Sequence, residues 1–559
     1  MIQLSAVKDS RSTRTAVALL GMAAYVAVTG VAITRSWQHF ELIGILLQYA
    51  VLLPAVVYGL RTADAAAALS IPSRPALWLA CAFLAIAAAV SWRVSEGSAC
   101  ADEESYRFQA LTLAAGEMSA PPPPGAPEHP GGRAGTPRAL YFEQQILSRA
   151  GWYSKYPIGW PAVLALPERM NLGWLVSPFL GVLLLLVTGL AAREAFGPAT
   201  VLPAVAMAGL SPYFLANSVG RMSHTLSGLL VASATVLCIQ GLKTGKLLRF
   251  GWMFLLLVAT FHVRPLTALS ASVVLGLGAL IGTRARRVLC MRVAALGAAA
   301  AVLAVSSFFL YNWRFTGNPL LTPYALADGT NLQLSAVVPM IGNWVSQEGV
   351  DLATLWRQAA QSTVLYAFPF LGLLVIYYFW ASRPRSPIPW ILLALPCTVM
   401  LFPMGSGSVI GQRYWFEGYF AIVVLAAGGL TRLLAAWRPG RRTLVPVAIG
   451  LAVTQLVMMA LAATALDKLS SPRREVKRLA QRYQDCDCVV YFEDTPPDFY
   501  AMHLNPNRPD WQSAHVFYAV DPGPDERAKW VGILGKRRWV VLRYDAQRKV
   551  AEVDGTGSV

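Results

Sequence analysis

Charge is what this sequence has least of. Only 14% of its 559 residues are Asp, Glu, Lys or Arg, where soluble domains carry about 25%. That is too little to cover the water-facing surface of a chain this size. Acids are scarcer than bases, 30 against 47. Histidine occurs six times and cysteine seven, and the Cys486-Asp-Cys488 spacing has no companion His cluster to make a zinc site. There is no Walker A loop, no HExxH and no GxSxG, so phosphate-loop, zincin and nucleophile-elbow chemistries have no foothold. GSGSVIG, Gly405 to Gly411, lacks the strand and helix of a dinucleotide fingerprint and reads as an outer turn. No tandem repeat marks a solenoid.

What fills the space is apolar. Hydrophobic residues make up 55% of the chain. Runs near or above the roughly 20 residues that cross a bilayer recur along it. The expected spans are 15–34, 41–60, 76–93, 172–192, 198–215, 223–242, 249–263, 265–282, 290–312, 363–381, 387–403, 414–436 and 443–465, about thirteen transmembrane helices. The first is not read as a cleaved signal peptide, because no small-residue cleavage site precedes a soluble chain and a second span follows at once.

The net charge of +17 invites a nucleic-acid reading, but the bases do not gather on a polar domain. They occupy alternate short loops: Lys8, Arg11 and Arg14; Arg61 and Arg74; Lys243, Lys246 and Arg249; Arg284, Arg286, Arg287 and Arg292; Arg383 and Arg385; Arg438, Arg441 and Arg442. This is the positive-inside pattern. It sets the N-terminus in the cytoplasm and, with an odd span count, the C-terminus outside. No nucleic-acid partner is expected.

Two opposite loops are long, 94–171 and 313–362, and the first contains a Pro/Gly stretch, Ala120 to Pro137, that cannot be helical. From about Asp467 normal polarity returns. A basic helix-like segment, SPRREVKRLAQRY, and two strand-like runs, Cys488 to Glu493 and Arg538 to Asp545, predict a small α/β domain. The organisation expected is a helix pair over 1–75, a membrane body over 76–465 and a soluble extracytoplasmic domain over 466–559. Cys81, Cys238, Cys290 and Cys397 read as small apolar residues of the spans; Cys100, Cys486 and Cys488 fall on the outer side, where a disulfide is permitted.

The chemically informative stretch is DEESYRFQALTLAAGE, Asp102 to Glu117. Asp102 suits a helix N-cap, with Glu103 and Glu104 in a first turn whose dipole favours negative charge. Tyr106, Ala110 and Leu113 then form an apolar stripe, so the helix is expected to lie along the membrane surface. A carboxylate at that boundary is also well placed to act as general base on a hydroxyl. Lys155 lies in GWYSKYPIGW, Arg221 and His224 in NSVGRMSH, His262 and Arg264 in FHVRPL, and Arg413, Tyr414 and Glu417 in GQRYWFEGYF. All belong to outer turns. Interfacial snorkelling accounts for any one of these cations. Several at one depth, on the face where bases are disfavoured, ask for an anionic partner.

D-E-x-S-Y-x-F-Q-A, S-K-Y-P-x-G, the R-P turn and G-x-R-Y-x-F-E together resemble the bacterial GT-C membrane glycosyltransferases, a superfamily that includes protein O-mannosyltransferases and lipid A aminoarabinose transferases. The resemblance runs from about 76 to 465 and implies a GT-C-like all-α polytopic fold in the bacterial inner membrane. It also implies transfer of a sugar from a polyprenyl-phosphate donor to an acceptor hydroxyl on the extracytoplasmic face, with inversion. The acceptor would be a cell-envelope glycan, lipid or protein. Asp102, with Glu103 beside it, matches the family's acceptor-activating aspartate, Lys155 its donor-phosphate lysine, and Arg264 and Arg413 further phosphate contacts. Tyr106, Tyr156, Arg221, His224, His262, Tyr414 and Glu417 are candidate substrate contacts. The proline-rich insertion departs from the compact loops of the family. No cofactor is required, although Glu103 or Glu104 leaves a divalent cation open.

The chief alternative is a polyprenyl-linked sugar flippase or secondary transporter. Those place ionisable groups near the bilayer midplane, and no Asp or Glu lies well inside any span here. A third class, an assembly protein that works through the tail, finds no catalytic spacing there.

Overall fold

The computed structural model describes residues 11–34, 48–54, 74–129, 135–327, 367–400, 413–437 and 441–558. Helices carry most of them. In chain order they are α1 (Arg11–Thr34), α2 (Arg74–Ser95), α3 (Ala101–Ala114), α4 (Gly159–Arg169), α5 (Gly173–Phe196), α6 (Val201–Gly209), α7 (Pro212–Asn217), α8 (His224–Thr244), α9 (Leu247–Val263), α10 (Pro265–Thr283), α11 (Arg287–Thr316), α12 (Pro323–Ala327), α13 (Leu371–Ser382), α14 (Pro387–Met400), α15 (Phe416–Trp437), α16 (Arg441–Ala480) and α17 (Pro524–Ile533).

Seven of the described helices are long and apolar enough to cross a membrane, and five shorter apolar helices accompany them. Each falls on one of the expected spans. The remaining one, 41–60, lies outside the described residues except at 48–54, as do 328–362 of the second long loop and the turn at Gly405 to Gly411. The chain is thus an all-α multi-pass membrane protein with a small C-terminal sheet domain.

Local chemistry sets the helix boundaries that matter for the site. Arg264 precedes Pro265, which disfavours helical backbone at Arg264 and itself opens a helix at its first position. Arg264 is accordingly extended (φ −148°, ψ 93°) between α9 and α10. Gly220 takes φ +73° in the turn before α8, a conformation glycine adopts freely. Its missing side chain matters too, since a Cβ there would lie 2.9 Å from both carboxylate oxygens of Glu103.

Two sequence expectations are corrected around α3. The helix begins at Ala101 with Cys100 at its N-cap position and no side-chain cap, so Asp102 is inside the first turn rather than capping it. Nor does the helix turn a polar face to water. Asp102, Glu103, Glu104, Tyr106, Phe108, Gln109 and Ala110 are all buried. Tyr106 and Ala110 pack with Trp160, Leu164, Leu180, Leu226 and Val263 of the membrane body, while Phe108 enters the core of the C-terminal domain. The helix is a wedge between two cores.

The basic segment expected as a separate helix continues α16, which runs unbroken to Ala480. Beyond it β3 (Cys488–Phe492), β4 (Val516–Val520), β5 (Arg538–Asp545) and β6 (Val550–Ser558) form one sheet in the order β4-β3-β5-β6. β3 pairs in parallel with β4 and β5, and β6 runs antiparallel to β5. Cys486 and Cys488 are joined as a disulfide. A hairpin in the first long loop, β1 (Gln145–Ser148) with β2 (Gly151–Ser154), places Trp152 against Phe108 and Phe517, at ring distances of 4.6 and 6.4 Å. Loop and C-terminal domain therefore share one hydrophobic core.

Candidate functional site

Two faces of α3 do different things. On one face Asp102 Oδ2 lies 2.9 Å from Arg413 Nη2. Arg413 also donates to the Tyr414 hydroxyl at 3.4 Å, and its guanidinium stands 5.3 Å from the Tyr414 ring. Arg264 stands 5.2 Å from the same ring, so one aromatic face system gathers two guanidiniums, an arrangement favoured by its quadrupole. Arg264 Nε is 2.8 Å from Glu417 Oε1, and the same oxygen is 3.0 Å from His224 Nδ1. Both residues are fully buried. Among the described residues Glu417 Oε2 and His224 Nε2 have no hydrogen-bond partner.

Lys155 is tied to this cluster through the hairpin and a run of aromatic rings. Ser105 on α3 bonds the Gln144 carbonyl (2.6 Å) and the Ser154 hydroxyl (2.7 Å), and the Ser154 amide donates to Gln109 Oε1 at 2.9 Å. These bonds pin the strand end beside α3 in spite of the proline-rich insertion. Lys155 Nζ lies 4.1 Å from the Tyr324 ring centroid and 5.7 Å from that of Tyr156. Tyr156 stacks on Tyr106 at 4.7 Å, and Tyr106 Oη is 3.2 Å from Ser223 Oγ, which Arg264 Nη1 also approaches at 3.3 Å. Burial pushes the phenol of Tyr106 up. It does the same to Tyr156, where the neighbouring charge of Asp102 adds to it. Both remain neutral hydrogen-bonding groups at physiological pH.

Asp102, Arg264 and Arg413 are therefore brought together, with His224, Tyr414 and Glu417 around them, and Lys155 is linked to them through Tyr156 and Tyr106. Three candidates are placed elsewhere. His262 bonds Ser307 at 2.8 Å on the flank of α11. Arg221 turns to the other face of α3, with Nε 2.5 Å from Glu168. Glu103 faces that way too, accepting the amides of Ala99 (3.2 Å) and Arg221 (3.0 Å). Burial raises its pKa, and Arg221 opposes this only in part. Sequence reasoning missed Ser223 and Tyr324. Ser223 stood inside a stretch singled out for its cations, whereas Tyr324 lies in a loop without a motif.

No metal site emerges among the described residues, where no three His, Cys, Asp or Glu side chains converge. The acids considered for a cation are engaged by other partners in this structure. Glu103 is used by backbone amides, and Glu104 is held by Ser98 (2.5 Å), Arg107 (3.5 Å) and Lys477 (3.6 Å).

No protein-family model matches the sequence, and no curated protein does either. Among solved structures, the chain is similar to ArnT from Cupriavidus metallidurans bound to undecaprenyl phosphate. Identity there is 12%, coverage 85% of this chain and 94% of that one, and the TM-score 0.48. It is also similar to the Archaeoglobus fulgidus oligosaccharyltransferase in complex with Zn and sulfate, at 14% identity, 82% and 68% coverage and a TM-score of 0.45. With the apo form of that enzyme the TM-score is 0.42, and the match spans 70% of this chain but only 57% of the oligosaccharyltransferase. The arabinosyltransferase EmbB from Mycobacterium smegmatis matches at 14% identity, over 80% of this chain and 45% of its own, with a TM-score of 0.33.

Proposed function

We propose that this protein is a GT-C-type membrane glycosyltransferase that moves a sugar from a polyprenyl phosphate to an acceptor hydroxyl. The observation that supports the reading is a cluster of two buried carboxylates, Asp102 and Glu417, paired with Arg413 and Arg264 from distant parts of the chain, with Lys155 linked to it through Tyr156 and Tyr106. Arg264 and Arg413 stand at the ends of membrane-crossing helices, and Asp102 is in the first turn of α3. A translocation path would instead need ionisable groups at mid-membrane.

In this reading the acceptor hydroxyl gives its proton to Asp102 as its oxygen attacks the anomeric carbon. The bond from that carbon to the phosphate oxygen breaks, and the electron pair leaves with the polyprenyl phosphate. A phosphate leaving group needs no general acid, because its second pKa is about 6. Fixed cations facing the growing charge are an effective device in a site shielded from water. Arg413 positions Asp102 while presenting its remaining N–H groups to the phosphate. The alternating basic loops support a reading in which this end of the molecule faces the extracytoplasmic side of the bacterial inner membrane. The acceptor is an envelope glycan, lipid or protein.

The test is to supply purified protein with polyprenyl-phosphate sugars and candidate acceptors, and to measure release of polyprenyl phosphate. Release that requires both acceptor and Asp102 is the expected result. Movement of the sugar lipid across liposomes without cleavage would overturn the reading in favour of a flippase.

A further inference from the structure

Behind α3, on the face opposite Asp102, lies a second cleft of about 760 Å³. Its walls are the last turn of α2, the Glu168–Trp174 region between α4 and α5, the extramembrane end of α16 and the segment around Arg508. Helical spacing puts Arg107, Leu111 and Ala114 of α3 on this wall, away from the Asp102–Arg413 pair.

The cleft is strongly cationic. Arg107, Arg221, Arg474 and Lys477 form its floor and Arg169, Arg478 and Arg508 its more exposed rim, against the lining carboxylates Glu96, Glu168 and Asp510. Those three acids are each matched to one arginine: Glu168 to Arg221, Glu96 to Arg478 at 2.6 Å and Asp510 to Arg508 at 3.3 Å. Glu104 sits beneath the floor as one charge shared by Arg107 and Lys477, and Asp467 backs Arg474 at 2.7 Å. Glu475, which is not among the lining residues, pairs with Arg478 at 3.4 Å and approaches Arg474 at 3.9 Å, so the positive excess is confined to the lining itself, where seven Lys and Arg side chains face three carboxylates.

The remaining wall is aromatic. Trp92 and Trp174 meet edge to face at 5.0 Å where α2 leaves the membrane and α5 enters it, and Trp92 is 54% exposed. Tryptophan at that depth belongs to the headgroup boundary, and clustered cations beside it are the electrostatic complement of acidic lipid.

We propose that this cleft binds the phosphate-bearing headgroup of an anionic membrane lipid, with Trp92 and Trp174 at the start of its acyl chains. The site is separate from the transferase chamber and does not depend on that reading. The experiment uses the full-length protein in neutral detergent with a phosphatidic acid probe that carries a photoactivatable group next to the phosphate. Cross-linked peptides are mapped by mass spectrometry. Adducts within 92–96 and 169–174 are expected. A phosphatidylcholine probe of the same chain length should give few. The surface variant R169Q/R508Q, which removes two exposed cations and no buried one, should weaken labelling by about tenfold if each contributes in the usual range for an exposed ion pair. Adducts confined to the Lys155–Tyr324 region, equal labelling by phosphatidylcholine, or labelling unchanged in the double variant would overturn the proposal. Protection by inorganic phosphate at the lipid's own concentration would also overturn it, showing a general anion site rather than a lipid site.

Discussion

Replacing Asp102 by Asn separates catalysis from architecture because the two roles predict effects on different quantities. The side chain is about nine-tenths buried and makes a 2.9 Å contact with Arg413. Asparagine keeps the shape and one acceptor oxygen but loses the charge and the ability to take a proton. If the only role of Asp102 is to hold Arg413, the variant loses a charge-assisted hydrogen bond worth roughly 1.5–3 kcal/mol. Thermal stability then falls, while folded protein turns over normally. If Asp102 is the general base, turnover of the folded protein falls by about 100-fold or more, and donor affinity, carried by the cations, changes little. The assay is polyprenyl phosphate release per folded molecule at saturating donor, read beside a thermal unfolding curve. A variant with a lowered melting temperature and turnover within about threefold of the parent would refute the base assignment, since general base catalysis contributes far more than that.

Other outcomes follow from the same geometry. Arg413→Lys should retain activity between that of the parent and that of Arg413→Gln, because ammonium lacks the planar fork that reaches Asp102 and Tyr414 together; simple snorkelling predicts a silent change. Gly220→Ala combines a left-handed backbone with a Cβ 2.9 Å from the Glu103 carboxylate, so it should cost about 2 kcal/mol or more in an unfolding assay. Burial alone would raise the pKa of Glu104, but Lys477, Arg107 and the Ser98 hydroxyl outweigh it and hold it below the ordinary value of 4.5. A depressed carboxylate stabilises fully above its unfolded pKa and loses that contribution as pH falls toward the folded one; the stability gap between parent and Glu104→Gln should therefore close below about pH 4.5. Reporter fusions at Arg286 and Ala501 should report cytoplasm and periplasm respectively, and the same side for both would dismantle the proposed orientation.

The membrane body was legible because its signal is one-dimensional. Apolar length alone marks a span, and every expected span that falls on described residues carries an apolar helix. Arg264 was placed at a helix junction by the proline after it, again a local cue. What could not be read was which way α3 turns its acids. Asp102, Glu103 and Glu104 are adjacent in sequence, and helix-dipole preference treats all three alike. Their partners decide among them, and those partners lie far along the chain: Arg413 for Asp102, the Gly220–Arg221 turn for Glu103, Lys477 for Glu104. The boundary expected near 465 had a similar origin. Polarity rises there, but a helix leaving the membrane needs no break, and Arg473 and Arg474 continue it while donating to the carbonyls of Ser98 (2.7 Å) and Arg93 (3.0 Å).

Those last contacts bear on why a membrane body with its site at one end carries an extramembrane domain at all. The turn between α2 and α3 holds Gly97, which packs directly on the Ser470 carbonyl so that no side chain fits. The extramembrane end of α16 holds that turn through Arg473 and the helices on either side of it through Arg474 and Lys477. Phe108 and Trp152 are buried together with β3 and β4 of the domain, and Trp511 donates to the Pro121 carbonyl at 2.8 Å. Asp102 and Lys155 thus depend on elements whose outer faces are covered by the C-terminal domain rather than by lipid. A short helix with three consecutive buried acids has no means of holding its register alone, because isolated helices of about 12–15 residues are marginal in water. The domain supplies the missing apolar partner for Phe108 and the missing cation for Glu104. Its structural contribution is therefore to fix the rotation of α3, so that Asp102, and neither of the acids beside it, faces Arg413.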